Sequence, residues 1–290
     1  MLSDTQIKDL ELKAVAIRES IIEMLLAAGS GHTAGPMDMA DIFTAMYFHI
    51  LNHDPKNPDW VERDYLILSN GHIVPVRYAT MAHAGYFPID ELKTLRKFGS
   101  RLQGHPERDR LPGLETTSGP LGSGLSQASG IALGLRMDGR KNRVYCAMSD
   151  GELDEGNSWE AIMFAGNKKL SNLTAIVDRN NIQIDGMTEN VMPLEPLADK
   201  WRAFNWHVIE IDGHNFNEIV DAVNLAKTIV EKPTVIIAHT IPGKGIPEIE
   251  GNFLWHGGAP GQGVPNAEEA AAWLKELRTL QGKIEGGHLD

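Results

Sequence analysis

The chain predicts an α/β fold, a mostly parallel sheet with helices on both faces, and three observations carry that expectation. From Gly122 onward, apolar strand-like runs alternate with helical stretches, the order that gives parallel pairing and right-handed crossovers. Two of those runs, 144–148 (Val-Tyr-Cys-Ala-Met) and 173–177 (Leu-Thr-Ala-Ile-Val), are short and unbroken, as in strands buried on both faces. Between them lies one helical stretch, residues 155–169, enough for a single crossover.

In chain order, residues 4–28 predict a helix with Ile7, Leu10, Ala14, Ile17, Ile21 and Met24 on one face, stopped by Gly29-Ser30-Gly31. A second helix is expected over 39–51, then a turn cluster at 52–57. A strand at 65–68 runs into Ser69-Asn70-Gly71-His72. A helix over 90–98 precedes an irregular stretch, 99–119, rich in Gly, Pro and charge. Then follow a helix at 122–137, the two apolar strands with their helix, a strand at 207–211, a helix at 217–230 and a strand at 234–238. Residues 242–263 read as irregular, 267–280 as an amphipathic helix, and the last few residues as frayed. There is no internal repeat, low-complexity tract or linker, so residues 1–290 are expected to form one domain.

Composition narrows the function. Hydrophobic residues at 42% and charged residues at 23% are ordinary for a globular chain, and a net charge of −12 with no basic stretch argues against a nucleic-acid surface. A single cysteine, Cys146, sits within an expected buried strand and permits no internal disulfide. The N-terminus is polar and acidic, and no apolar run approaches the roughly 18 residues of a membrane span, so a cytoplasmic protein is expected.

Two segments carry chemistry at the sheet edge. Ser149-Asp150-Gly151-Glu152 follows the first apolar strand and Asp178-Arg179-Asn180-Asn181-Ile182 follows the second. Ends of parallel strands meet at one edge, where open α/β sheets bind ligands. A carboxylate, an amide oxygen and a backbone carbonyl are hard oxygen donors, suited to Mg²⁺ or Ca²⁺ held together with a diphosphate. Four of the eleven histidines sit in tight turns: Gly31-His32-Thr33, Gly71-His72-Ile73, Gly104-His105-Pro106 and Trp255-His256-Gly257. Neutral imidazoles around one site suit sugar hydroxyls and proton transfer.

The pair of edge segments resembles the metal–diphosphate motif of thiamine-diphosphate enzymes, with Ser149 in place of the first Gly. The glycine–histidine loops, with Gly35-Pro36-Met37, Leu68-Ser69-Asn70-Gly71-His72, Gly104-His105-Pro106-Glu107, Thr117-Ser118-Gly119-Pro120-Leu121-Gly122 and Ile182-Gln183-Ile184-Asp185-Gly186, are similar in content and order to transketolase motifs. That resemblance spans nearly the whole chain and implies the pyrophosphate-domain fold. It implies that Asp150, the Asn180 side chain and the Ile182 carbonyl hold Mg²⁺, with Ca²⁺ or Mn²⁺ as substitutes. It implies that His32, His105 and His256 face the reacting carbon, that His72 lies near the cofactor diphosphate, and that Gly119 and Leu121 flank the thiazolium ring. Gly151 would admit the diphosphate to the backbone, and Asn180 and His256 would also touch the cofactor. Glu155 and Glu160 resemble interface carboxylates that relay protons, although acids in a helix's first turns are also favoured by its dipole. Thr33-Ala34 and Gly258 depart from the family's usual residues, and Lys244 reads as a loop lysine or a phosphate contact.

Single-chain transketolases are about twice as long, and no segment here resembles their second, pyrimidine-binding half. The resemblance therefore implies one subunit of a split enzyme, completed by a partner chain in an α₂β₂ assembly and acting on sugar phosphates of the pentose-phosphate type. The competing readings are the α subunit of a 2-oxo acid dehydrogenase and a non-catalytic thiamine-diphosphate-binding subunit. A nucleotide fingerprint fails, because Gln127 stands where G-x-G-x-x-G needs its third glycine.

Overall fold

The structure is a computed structural model that describes residues 1–261 and 266–287. Its centre is a five-stranded sheet of β1 (Tyr65–Leu68), β2 (Val144–Ser149), β3 (Leu173–Arg179), β6 (His207–Asp212) and β7 (Thr234–His239), in the spatial order β1-β2-β3-β7-β6. Every adjacent pair is parallel. A small antiparallel hairpin, β4 (Ile182–Gln183) with β5 (Gly186–Met187), stands just beyond the end of β3.

The alternation of the pleat sorts the strand residues into two cores. Leu66, Leu68, Tyr145, Ala147, Ile176, Ile236 and Ala238 face one side, where they meet α1 (Asp4–Ala28), α3 (Ala40–Ala45), α4 (Val74–His83), α9 (Phe216–Thr228) and α10 (Ala267–Gly286). Ile67, Cys146, Met148, Ala175, Val177 and Ile237 face the other, against α5 (Ser123–Met137), α6 (Gly156–Lys168) and α8 (Leu197–Ala203). Helices thus cover both faces, as the apolar strands require. Two short helices, α2 (Ala34–Asp38) and α7 (Thr188–Val191), sit beside the end of β3, where Asp38 meets Asn180 and Glu189 meets Arg179.

The local signals act as the sequence implies at several ends. Ser3 and Gln6 form a reciprocal capping box at the start of α1, and Gly29 closes it in the left-handed conformation at φ 66. Other boundaries differ. The helix expected over 39–51 is α3 followed by a wider π turn, Met46–Ile50. The helix expected over 90–98 is only a 3₁₀ segment, Ile89–Thr94, and the chain reverses at Arg96 with φ 59. The stretch before Gly156 is a 3₁₀ turn, so α6 begins one residue later than expected, and α10 continues past Leu280 to Gly286. Helices α4 and α8 were not anticipated. In α4, Val74 and Val76 disfavour a helix locally, but Pro75 is tolerated in the first turn and nine of its residues are buried, so tertiary packing decides. The end of the expected irregular stretch at 262–263 and the expected frayed end at 288–290 lie outside the described residues. No helix among the described residues is long and apolar enough to cross a membrane.

Candidate active site

The parallel register of β2 and β3 sets Ser149 opposite Asp178, so the residues that follow, Asp150 and Asn180, emerge at one edge of the sheet. The Asp150 N–H donates to the Asp178 carbonyl at 3.0 Å, and the Asn181 N–H donates to Asp150 Oδ2 at 2.8 Å. The two anticipated side chains and Ile182 are therefore brought together. Asp150 is fully buried, and burial pushes its carboxyl above the usual range even though Arg179 and two backbone N–H groups pull it down. Arg179 was not anticipated in this role. Its guanidinium donates to Asp150 Oδ2 at 2.9 Å and to Glu189 and Glu195 at 2.6 and 3.0 Å.

Three of the four loop histidines form one cluster. The ring centroids of His32 and His72 lie 4.9 Å apart, those of His72 and His256 5.0 Å, and those of His32 and His256 5.8 Å. His105 is exposed at the rim, near Gly71 and Gly119. Gly71 has to be glycine: a Cβ there would lie 2.5 Å from the Ser118 hydroxyl and 3.1 Å from both the Gly119 nitrogen and the His105 ring. Burial drives all four rings below their ordinary value. For His32, neighbouring His256, Arg96 and His105 add to it and bring the value to about 3. The cluster is accordingly a set of neutral imidazoles, each able to donate at one nitrogen and accept at the other.

That shift carries a stability consequence. A histidine whose folded value lies below its unfolded one binds fewer protons when folded, so stability is lost as pH falls through 6.5, the ordinary value, toward about 3 for His32. The melting temperature of the ligand-free chain is expected to fall on acidification through that window, and His32→Asn to flatten the slope. An identical slope in the variant would contradict the assignment.

A buried carboxylate ties the loops together. Glu152 accepts from the Ser69 hydroxyl, from the Gly122 N–H and, at 3.2 Å, from the Ser149 N–H, while the Ser69 oxygen accepts from the Gly124 N–H at 3.0 Å. One side chain thus joins the segment before His72, the Gly119–Gly122 turn and the Asp150 turn. Thr33 and Gly258, two of the positions that differ from the family's usual residues, are in contact: the Thr33 hydroxyl donates to the Gly258 carbonyl at 2.7 Å and links the His32 and His256 loops. Glu155 and Glu160 are exposed at the start of α6, outside the histidine cluster. Lys244 is partly exposed in a loop whose Gly243 N–H donates to the Ala34 carbonyl.

The residues present fit a metal–diphosphate group. Asp150, Asn180 and the Ile182 carbonyl supply oxygen donors only, as a hard divalent ion prefers. On the histidine loops, where His32 lies against His72 and Ser118 against Gly71, several buried polar atoms have no hydrogen-bond partner among the described residues: His32 Nδ1, both amide atoms of Asn70 and the Ser118 hydroxyl. Buried polar atoms are normally satisfied, so several orphans in one place mark where a polar ligand sits. Sequence reasoning passed over Asn70 because nothing in its neighbours announces that it is buried.

Comparison with known proteins agrees with this geometry. Residues 11–276 match the family described as transketolase, thiamine diphosphate binding domain. The 6-deoxy-6-sulfo-D-fructose transketolase subunit SqwG of a Clostridium species is 47% identical over 255 residues, covering 88% of this chain and 92% of that one. An apulose-4-phosphate transketolase subunit of Phocaeicola vulgatus is 38% identical over 280 residues, covering 97% and 98%. Among solved structures, transketolase from Leishmania mexicana superposes with a TM-score of 0.84 at 31% identity, over 96% of this chain and 45% of that one. The chain therefore spans about half the length of that transketolase and nearly all of the two subunits, and it belongs to the transketolase family, in the family's thiamine-diphosphate-binding domain.

Proposed function

We propose that this chain is the N-terminal, diphosphate-binding subunit of a two-chain transketolase, moving a two-carbon ketol unit between sugar phosphates with thiamine diphosphate and Mg²⁺. The observation that supports it most directly is the cluster of His32, His72 and His256, whose loops are tied to the Asp150 turn through Ser69 and Glu152 and to Asn180 through Asp38. Thiamine diphosphate, when bound, supplies the electron sink that lets a carbon–carbon bond beside a carbonyl break and reform. The chain's own part is binding, orientation and proton handling. Asp150, Asn180 and Ile182 would hold the metal, and Gly151 would let the diphosphate reach the backbone.

His72 would face the diphosphate, and Gly119 and Leu121 would flank the thiazolium ring. The neutral rings of His32 and His256, with His105 at the mouth, would bond the hydroxyls and the carbonyl oxygen of the sugar. A ring that rests neutral accepts a proton from a hydroxyl, is briefly imidazolium, and returns the proton to an oxygen, which suits a reaction that runs in both directions. Glu155 and Glu160, exposed on α6, would meet a neighbouring polypeptide and relay protons from there.

The names of the two relatives refer to 6-deoxy-6-sulfo-D-fructose and apulose 4-phosphate, each carrying an anionic group, so the substrate here is read as a ketose with a terminal anionic group. A second polypeptide, the pyrimidine-binding half, would complete the site in an α₂β₂ assembly. The chain purified alone is expected to give no measurable ketol transfer. The protein that accompanies it in its host, identified by mass spectrometry, is expected to restore transfer that needs thiamine diphosphate and Mg²⁺. Full turnover by the lone chain would overturn the split reading, and oxidative decarboxylation through a lipoyl-bearing partner would decide for the dehydrogenase.

A further inference from the structure

Asp38, the last residue of α2, is fully buried and has no cation as partner among the described residues. Its Oδ2 accepts from the Asn180 side-chain nitrogen at 3.1 Å, and Asp178 Oδ2 accepts from the same nitrogen at 2.9 Å. The Thr240 hydroxyl donates to the other oxygen of Asp178 and holds that carboxyl in place. Asp38 Oδ1 is buried with no hydrogen-bond partner among the described residues.

A carboxamide has one donating end and one accepting end. Two carboxyl oxygens on the Asn180 nitrogen therefore decide which way the group faces. Its Oδ1 is turned away from them, to where the Ile182 N–H approaches at 3.1 Å. Burying a second acid beside Asp178, with one oxygen unsatisfied, costs stability rather than adding to it. A residue that breaks the rules of packing and touches a ligand-bearing side chain is expected to serve that side chain.

We propose that Asp38 and Asp178 are positioning residues that clamp the Asn180 carboxamide so that its oxygen faces the divalent metal, Asp38 reaching the metal only through Asn180. The proposal rests on the reading of Asp150, Asn180 and Ile182 as the metal's ligands. Outer partners of this kind hold a ligand in the orientation the ion needs, and removing one typically weakens metal binding by roughly 10–100-fold.

The test is Mn²⁺ affinity, read by electron paramagnetic resonance of the free ion at saturating thiamine diphosphate, on the protein with the chain that accompanies it from its host. Asp38→Ala is expected to weaken Mn²⁺ by about 10–100-fold, while Asp38→Asn, which keeps an acceptor oxygen, recovers most of the loss. The melting temperature of ligand-free Asp38→Ala is expected to stay level or rise, since an unpaired buried acid has gone. Thr240→Val, which frees Asp178, should shift affinity in the same direction by less, and it carries the test if Asp38→Ala does not fold.

Unchanged affinity in Asp38→Ala would overturn the proposal. So would an Asp38→Asn variant as weak as the alanine, or affinity and melting temperature falling together. Failure of the unsubstituted protein to bind Mn²⁺ would instead overturn the metal site itself.

Discussion

Asp150→Ala is expected to lose retention of both metal and thiamine diphosphate, and with it ketol transfer by roughly a hundredfold or more, beyond the effect of removing an outer partner. Two features make this the most damaging substitution at the site. Asp150 is the only carboxylate among the three expected ligands, so its removal takes away the charge that balances the ion. It also leaves the guanidinium of Arg179, only 3% exposed, beside the vacated position. A buried cation there repels Mg²⁺ directly. Arg179 keeps Glu189 and Glu195 as partners, so the fold should lose only about 1–3 kcal/mol, the cost of one broken charged contact. Asp150→Asn separates shape from charge, since it can still accept from the Asn181 N–H but cannot neutralise an ion. The readout is the metal and cofactor remaining after gel filtration. Either variant carrying both at the unsubstituted stoichiometry would remove Asp150 from the metal site.

The largest expected loss of stability comes from Arg18→Met. Arg18, on α1, donates from both terminal nitrogens to the two oxygens of Asp41 at 2.9 and 2.7 Å, and from Nε to the Met37 carbonyl at 3.0 Å. His214 holds the same carboxylate at 2.8 Å. Arg18 and Asp41 are 3% and 6% exposed, so removing the guanidinium strands a buried charge, which costs about 3–5 kcal/mol. Urea unfolding of the ligand-free chain measures it, and a loss within the roughly 0.5 kcal/mol typical of surface changes would refute the account.

The sign of the pH dependence follows from the same contacts. Burial alone would raise the Asp41 carboxyl, but Arg18 and His214 outweigh it and hold it at about 2, against 3.8 in the unfolded chain. This contribution to stability is full above 3.8 and is lost as pH falls through about 2. Arg18→Met should remove that acid-sensitive component. Because Arg18 also holds the Met37 carbonyl, it fixes the segment that carries Asp38, and the variant should weaken metal binding secondarily.

What was legible in the sequence is what local chemistry writes there. Asp150 and Asn180 could be placed together because each ends an apolar run, and parallel strands bring their ends to one edge. The histidines stood out because glycine beside them marks a turn. Other features had no local signature. Val74 and Val76 gave α4 no helical signal, and only its burial makes it a helix. Asp38 meets Asn180 across 142 residues of sequence, and Glu152 meets Ser69 across 83. A buried acid reads like a surface acid until the fold supplies its donors. Arg179 was visible as a neighbour of Asn180, yet its contact with Asp150 depends on the register of β2 and β3. The expected roles of Glu155 and Glu160 turn on a surface that a single chain leaves bare.

Glu152 has a bearing on the order in which the enzyme comes together. Its three donors come from three separate turns, all within this one chain. The loss of conformational freedom needed to arrange those turns therefore occurs as the chain folds, before any other molecule arrives. Metal and diphosphate would meet a half-cleft whose walls already stand in place. Docking of a second chain would then close over a loaded surface, so assembly should run faster with cofactor present than without it.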